Sequence, residues 1–142
     1  MVTQRLRDPI HDLIVFEGND EVDMLAWELI KTKEFQRLRR IRQLGLSEFV
    51  FPGATHSRFA HSIGVFNNAR RLLQVLKREG KNIDEDRRRV ILVSALLHDL
   101  GHGPFSHAFE VAREAVARSR GEEAIQKHEK WSAKLGCRLI KS

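Results

Sequence analysis

Apolar and polar positions alternate along this chain with a period that changes from one stretch to the next. Leu13-Ile14-Val15-Phe16 is a compact apolar run with strand propensity, and it stops at Gly18-Asn19. Before it, Arg7-Asp8-Pro9-Ile10-His11-Asp12 is turn-like, because Pro9 keeps Asp8 out of the helical region. Residues 1–16 therefore read as extended, within an N-terminal segment of residues 1–18. From there on the period is helical. Asn19 or Asp20 caps a helix to about Lys31, with Val22, Leu25, Trp27 and Leu29 among its apolar residues. Thr32 caps a second helix, in which Phe35, Leu38, Ile41 and Leu44 recur every three residues until Gly45 ends it. Arg37, Arg39, Arg40 and Arg42 occupy its other faces. Residues 46–51 alternate loosely and read as extended, and Pro52-Gly53 is a turn.

A long helix is expected over residues 57–79. Phe59, Ile63, Phe66, Leu73 and Leu76 mark its core side and Gly80 closes it. His61 shares a face with Val65, Asn68 and Leu72, which points it inward. Asp84 caps the next helix, over residues 87–100. Residues 90–97 are apolar nearly all round, which predicts the central, buried helix. Gly101 and Gly103-Pro104 break it. A further helix spans residues 105–118, with Phe105, Ala108, Phe109 and Ala112 inward, and a last one spans about 122–139. There is no internal repeat, low-complexity segment, Walker-type glycine loop or paired-cysteine motif. The fold class is all-α, a helical bundle with a short extended N-terminal segment and its core helices within residues 56–139.

Composition narrows the function classes. Twenty-five Lys and Arg against nineteen Asp and Glu, in 142 residues, give a net charge of +6, which suits an anionic partner such as a nucleotide, a nucleic acid or an acidic surface. Cys137 stands alone, so no internal disulfide forms and a reducing cytoplasm is the expected compartment. No stretch approaches the ~20 apolar residues of a membrane span, and none near the start has signal-peptide character. Tyrosine is absent, so only Trp27 and Trp131 offer an aromatic ring with a polar tip.

The chemistry concentrates at the end of the apolar helix, in Leu96-Leu97-His98-Asp99-Leu100-Gly101-His102-Gly103-Pro104-Phe105-Ser106-His107. Three of the seven histidines fall within ten residues, one of them beside a carboxylate. Apolar helices do not usually end in imidazole and carboxylate unless something binds there. Imidazole nitrogen with carboxylate oxygen suits one divalent ion: Mn, Mg, Fe, Zn, Co or Ni. Glu110, three residues after His107, is placed to orient that ring. His61, with Arg58 three residues earlier on the same face, is a further ligand candidate, and a guanidinium beside it makes sense if an anion docks at the metal. A second His-Asp pair, His11-Asp12, lacks the helix and the Gly-His turn and reads as a local hydrogen-bonding residue.

These segments resemble the HD-domain metal-dependent phosphohydrolases, and within them the deoxynucleoside triphosphate triphosphohydrolase branch. Asp8-Pro9-Ile10-His11, Glu34-Phe35-Gln36-Arg37-Leu38-Arg39, Gln43-Leu44-Gly45, Val50-Phe51-Pro52-Gly53-Ala54, Arg58-Phe59-Ala60-His61-Ser62, the His98 to His107 string and His128-Glu129 carry the resemblance in family order. It implies His61, His98 and Asp99 as metal ligands. It implies Arg58 and His102 on the substrate phosphates, with His128 and Glu129 completing that side of the pocket. His107, paired with Glu110, would handle protons in the attack at phosphorus, and Gln43 would touch the deoxyribose 3′-hydroxyl. The family usually has Asp where Glu110 stands. The implied reaction converts a dNTP and water to a deoxynucleoside and triphosphate.

Two departures qualify the resemblance. The family's fourth ligand is an Asp far downstream of the His-Asp pair, and no Asp follows Asp99 here. Residues 1–142 are therefore expected to be the N-terminal portion of an HD domain, with Glu114, Glu122, Glu123 and Glu129 as the carboxylates left to substitute. Lys31 stands where nucleotide-regulated members use an Asp to read guanine, and a lysine cannot accept the guanine N–H groups, so GTP activation of that type is expected to be absent. Three alternatives stay open. One is an HD enzyme with another nucleotide phosphoester substrate. Another is a truncated protein that binds nucleotide, single-stranded nucleic acid or a partner chain without turnover. The third is a half-domain completed by another chain, in keeping with an expected homo-oligomer.

Overall fold

The computed structural model describes residues 2–122 and 127–141. An antiparallel hairpin opens the chain: β1 (Gln4–Asp8) pairs with β2 (Asp12–Phe16) in a register that sets Asp8 opposite Asp12. Asp8 Oδ1 accepts the backbone N–H groups of Ile10 and His11, both at 2.9 Å, and so closes the turn. The local hydrogen bond expected at His11 is made by its backbone N–H, and its ring lies over Gly64, where a Cβ would come within 2.7 Å of its Nε2.

Six α-helices follow among the described residues: α1 (Glu21–Lys31), α2 (Lys33–Gln36), α3 (Arg58–Arg78), α4 (Glu85–Leu97), α5 (His107–Ser119) and α6 (His128–Lys141). Asp20, Thr32, Ser57 and Asp84 cap α1 to α4 through side-chain oxygens that accept first-turn N–H groups. Phe16, Phe35, Phe66, Leu38, Leu92, Leu96 and Leu100 form the fully buried centre, with the Phe16 and Phe66 rings stacked at 5.6 Å. Arg70 ties the hairpin to α3, donating from Nη1 to the Val15 carbonyl at 2.7 Å and to Asp23 at 3.0 Å.

Four sequence expectations are corrected. The helix expected through Leu44 leaves α geometry at Arg37: residues 37–40 are a 3₁₀ turn, and Ile41 is extended. Its carbonyl then accepts the N–H of Arg58, which joins this segment to the start of α3. A repeat of three is the 3₁₀ period, so Phe35, Leu38 and Ile41 still share one buried face. Residues 46–51 are not extended: Gly45–Phe49 is a second 3₁₀ turn, and it leaves Phe49 82% exposed. Helix α4 is not buried all round. Leu92, Val93, Leu96 and Leu97 face the core while Val90, Ile91, Ser94 and His98 face solvent. The helix expected from Phe105 begins at His107, and Phe105, Ala108, Phe109 and Ala112 are exposed rather than inward, with Ala117 the buried residue of α5.

Candidate functional site

The site is built where α3 and α4, joined by a short connection, bring their ends together. His61 lies one turn into α3, and His98 and Asp99 follow the last residue of α4. The three side chains meet: His98 Nε2 is 3.3 Å from His61 Nε2 and 3.3 Å from Asp99 Oδ1, and His61 Nε2 is 3.8 Å from Asp99 Oδ2. His98 Nδ1 contacts the Ala95 carbonyl at 2.8 Å, which assigns the ring proton to Nδ1 and leaves the Nε2 lone pair facing His61. Two borderline nitrogens and a carboxylate converging on one point, with the tautomer of one ring fixed from behind, fit a divalent cation. Burial lowers the His61 pKa, against the attraction of Asp99, and so favours the neutral, ligating form. Burial would raise the Asp99 carboxyl, but His98 and the Arg58 guanidinium outweigh it and hold it below its ordinary value. The face of His61 is only partly inward: Asn68 and Leu72 further along it are exposed.

Arg58, 3% exposed, does not reach into open space as a phosphate ligand would. Its Nη1 donates to Asp99 Oδ2 at 2.5 Å, its Nε to Ser106 Oγ at 2.8 Å and its Nη2 to the Gln43 carbonyl at 3.3 Å. Here it braces the carboxylate of the His61–His98–Asp99 triad. Gln43 is half-buried, and its Oε1 is buried without a partner.

On the other side of Asp99 stands a cluster of three imidazoles. His102 Nε2 lies 3.5 Å from Asp99 Oδ1. Burial, then the nearby Arg58 charge, pushes the His102 pKa down to about 4, so its ring is neutral at pH 7. The His128 ring stacks on it, and His107 meets both edge-on, with centroids 5.1 and 5.3 Å away. Glu110 holds the two outer rings. Its Oε1 accepts from the backbone N–H of His128 and contacts His128 Nδ1, both at 2.8 Å, and its Oε2 is 3.2 Å from His107 Nδ1. Burial works against this carboxylate, but those hydrogen bonds prevail and draw its pKa down to about 2. The expected pairing of His107 with Glu110 is present, and Glu110 serves His128 as well. A cavity of about 610 Å³ opens beside the cluster, lined by Arg37, His107, Arg113, Lys127, His128 and Trp131 among others. That volume is within the range of small-molecule sites.

Three features position these groups in ways that the sequence does not indicate. Arg37, read there as part of a basic face, donates from Nη2 to the Leu100 and His102 carbonyls at 2.7 and 2.8 Å and fixes the turn between them. Gly101 lets α6 close over that turn; a Cβ there would lie 2.3 Å from the His128 carbonyl oxygen. Phe105 and Ser106 both have positive φ, 59° and 54°, a conformation that costs of order 1–3 kcal/mol per non-glycine residue. No substitute fourth ligand reaches the triad among the described residues. Glu114 pairs with Arg118, Glu122 is near Arg120, and Glu129 is exposed with its Oε2 3.6 Å from His128 Nδ1. Glu123 lies outside the described residues. No described helix is long and apolar enough to cross a membrane.

Comparison with known proteins places this geometry. The HD domain family matches residues 58–142, a span that includes His61, His98 and Asp99. An uncharacterized protein of Bacillus subtilis, YwfO, is 49% identical over 104 residues, covering 73% of this chain and 23% of that protein. The deoxynucleoside triphosphate triphosphohydrolase SAMHD1 of Gallus gallus is 42% identical over 137 residues, covering 95% of this chain and 21% of that protein. The crystal structure of a phosphohydrolase from Bacteroides thetaiotaomicron superposes with a TM-score of 0.80 at 33% identity, over 97% of this chain and 31% of that one. The chain thus spans less than a quarter of the length of these two curated relatives. With the family match covering the helices that carry the His-Asp pair and its partner histidine, the chain belongs to the HD domain family.

Proposed function

We propose that this chain carries the metal-dependent phosphohydrolase site of its family and that the substrate is a dNTP, cleaved by water to a deoxynucleoside and inorganic triphosphate. The observation that carries the reading is the shared carboxylate. Asp99 closes the His61–His98 triad on one side and borders the His102–His128 stack on the other, so a cation and a phosphate would be held next to each other. His61, His98 and Asp99 would hold the divalent ion, which when bound lowers the pKa of its water and polarises a phosphoryl oxygen. His102, neutral and buried, offers hydrogen bonding rather than charge. His107 Nδ1 is held by Glu110, so its Nε2 is the atom free to take a proton from water or return one to the departing 5′-oxygen. Arg113 and Lys127 line the adjoining cavity and would meet the rest of the triphosphate, with Trp131 beside them for the base or sugar. The relatives with printed activities support this substrate class: one is named for dNTP triphosphohydrolysis and one as a phosphohydrolase.

The test is chromatography of dNTPs incubated with the protein and Mn. Deoxynucleoside with triphosphate supports the reading, whereas a nucleoside monophosphate product moves the chain to a different phosphoester chemistry. A second reading, binding without turnover, has one observation in its favour: only three protein ligands gather at the cation site among the described residues. Tight nucleotide and metal binding without any product would select it.

A further inference from the structure

We propose that Ser106 is a positioning residue for the metal centre, acting on Asp99 through Arg58. The inference rests on the metal reading of His61, His98 and Asp99. Ser106 is 3% exposed, and its backbone has φ 54° and ψ −125°, a combination at home in the glycine position of a tight turn. Nothing in helix capping explains it, because the Ser106 side chain makes no cap bond to α5. The hydroxyl is used elsewhere. Oγ accepts from Arg58 Nε at 2.8 Å and donates to the Arg42 carbonyl at 3.2 Å, so both of its roles are fixed. Its neighbour Phe105 is pressed against Gly45, where a Cβ would lie 2.9 Å from the Phe105 carbonyl oxygen. The kink is therefore held from outside as well as by its own hydroxyl.

The consequence lies at Arg58. Without Ser106 the guanidinium would be left with its Nη1 bond to Asp99 and a long Nη2 bond, 3.3 Å, to the Gln43 carbonyl. With Nε on Ser106, Nη1 on Asp99 and Nη2 on the Gln43 carbonyl, the plane is fixed at three points. That plane sets the Asp99 carboxylate, whose Oδ1 lies toward His98 and whose Oδ2, the oxygen Arg58 holds, lies toward His61. Ser106 thus has an effect two hydrogen bonds away, from a residue that touches neither cation nor substrate. A group hydrogen-bonded directly to a ligand, as Arg58 is to Asp99, changes metal affinity by roughly 10- to 100-fold when removed, and Ser106 acts through that group.

The experiment compares the parent chain with Ser106→Gly. Glycine relieves the positive φ but deletes a hydroxyl that satisfies Arg58 Nε and the Arg42 carbonyl, so the variant is expected to melt close to the parent yet to bind Mn about tenfold more weakly in a chelator competition. A purely structural serine gives the opposite pairing, with affinity unchanged wherever the fold is kept. Ser106→Cys, which keeps the volume and offers a poor acceptor, is the second measure should the glycine variant not fold, and is expected to lose affinity likewise. Parent-level Mn affinity in a folded variant of either kind overturns this inference alone. A parent chain that holds no divalent ion overturns the metal reading and this inference with it.

Discussion

The rings of His102 and His128 stack with centroids 3.8 Å apart and planes 23° from parallel. Two imidazolium cations would not hold that arrangement, so proton uptake should loosen it. The His102 pKa falls from 6.5 unfolded to about 4 folded. Between those values the unfolded state binds more protons, and stability therefore rises with pH across that window and is lost on acidification through it. A shift of this size corresponds to about 3 kcal/mol at most. Glu110 adds a second loss lower down: its folded pKa of about 2 lies below the ordinary 4.5, so its contribution is present above 4.5 and disappears as pH falls toward 2. Urea unfolding of the metal-free protein at stepped pH checks this. His102→Gln should flatten the dependence between pH 6.5 and 4 and leave the lower one in place.

Removing a ligand should empty the cation site without unfolding the chain. His61 and His98 are both partly exposed, so neither ring is part of the apolar centre. His61→Ala and His98→Ala are each expected to weaken Mn binding by about a hundredfold or more, beyond what loss of an outer hydrogen bond costs. Elemental analysis after dialysis should find about one ion per parent chain and none in either variant.

Two glycines at the α6 interface should behave differently. At Gly101 a methyl group would press on backbone, 2.3 Å from the His128 oxygen and 2.5 Å from the Ser132 nitrogen. Gly101→Ala should cost about 3 kcal/mol or more and displace His128 from Glu110. At Gly136 the nearest atom is the movable Leu97 Cδ1 at 3.2 Å. Gly136→Ala should change stability by no more than about 1 kcal/mol, since alanine also favours the helix. Denaturation curves of the two variants give the comparison, and His128 ring NMR signals report the displacement.

Lys31 bears on regulation. Its Nζ is bound to Glu28 Oε1 at 2.7 Å, and Gln36 spends its Nε2 on the Ile30 carbonyl. Turnover of a dNTP should run at the same rate with and without GTP. A rate that depends on GTP would contradict the expectation drawn from Lys31.

The helix starts were legible because a cap is a local event. Asp20, Thr32 and Asp84 each satisfy N–H groups two or three residues ahead, and the sequence states that directly. Helix ends were less so. The departure at Arg37 depends on Ile41 pairing with Arg58, seventeen positions away, and no local pattern contains that contact. Periodicity identifies a face and not its neighbour, so the apolar faces of α4 and α5 are legible in the sequence while their exposure is not. For the site, spacing within residues 98–107 marks the chemistry, helical spacing with Arg58 makes His61 a candidate, and the family resemblance implies it as a ligand. What neither gave was the bracing role of Arg58, since a buried arginine and one that reaches for phosphate look alike in a string of letters.

The candidate cation site draws His61 from α3 and His98 from the end of α4, 37 positions further along the chain. An unfolded chain cannot offer both at once, so an ion that binds there binds only the folded form. Free metal then acts as a thermodynamic weight on folding. At one hundred times the dissociation constant it adds about 2.7 kcal/mol, and the melting temperature of this domain becomes a gauge of the metal concentration around it.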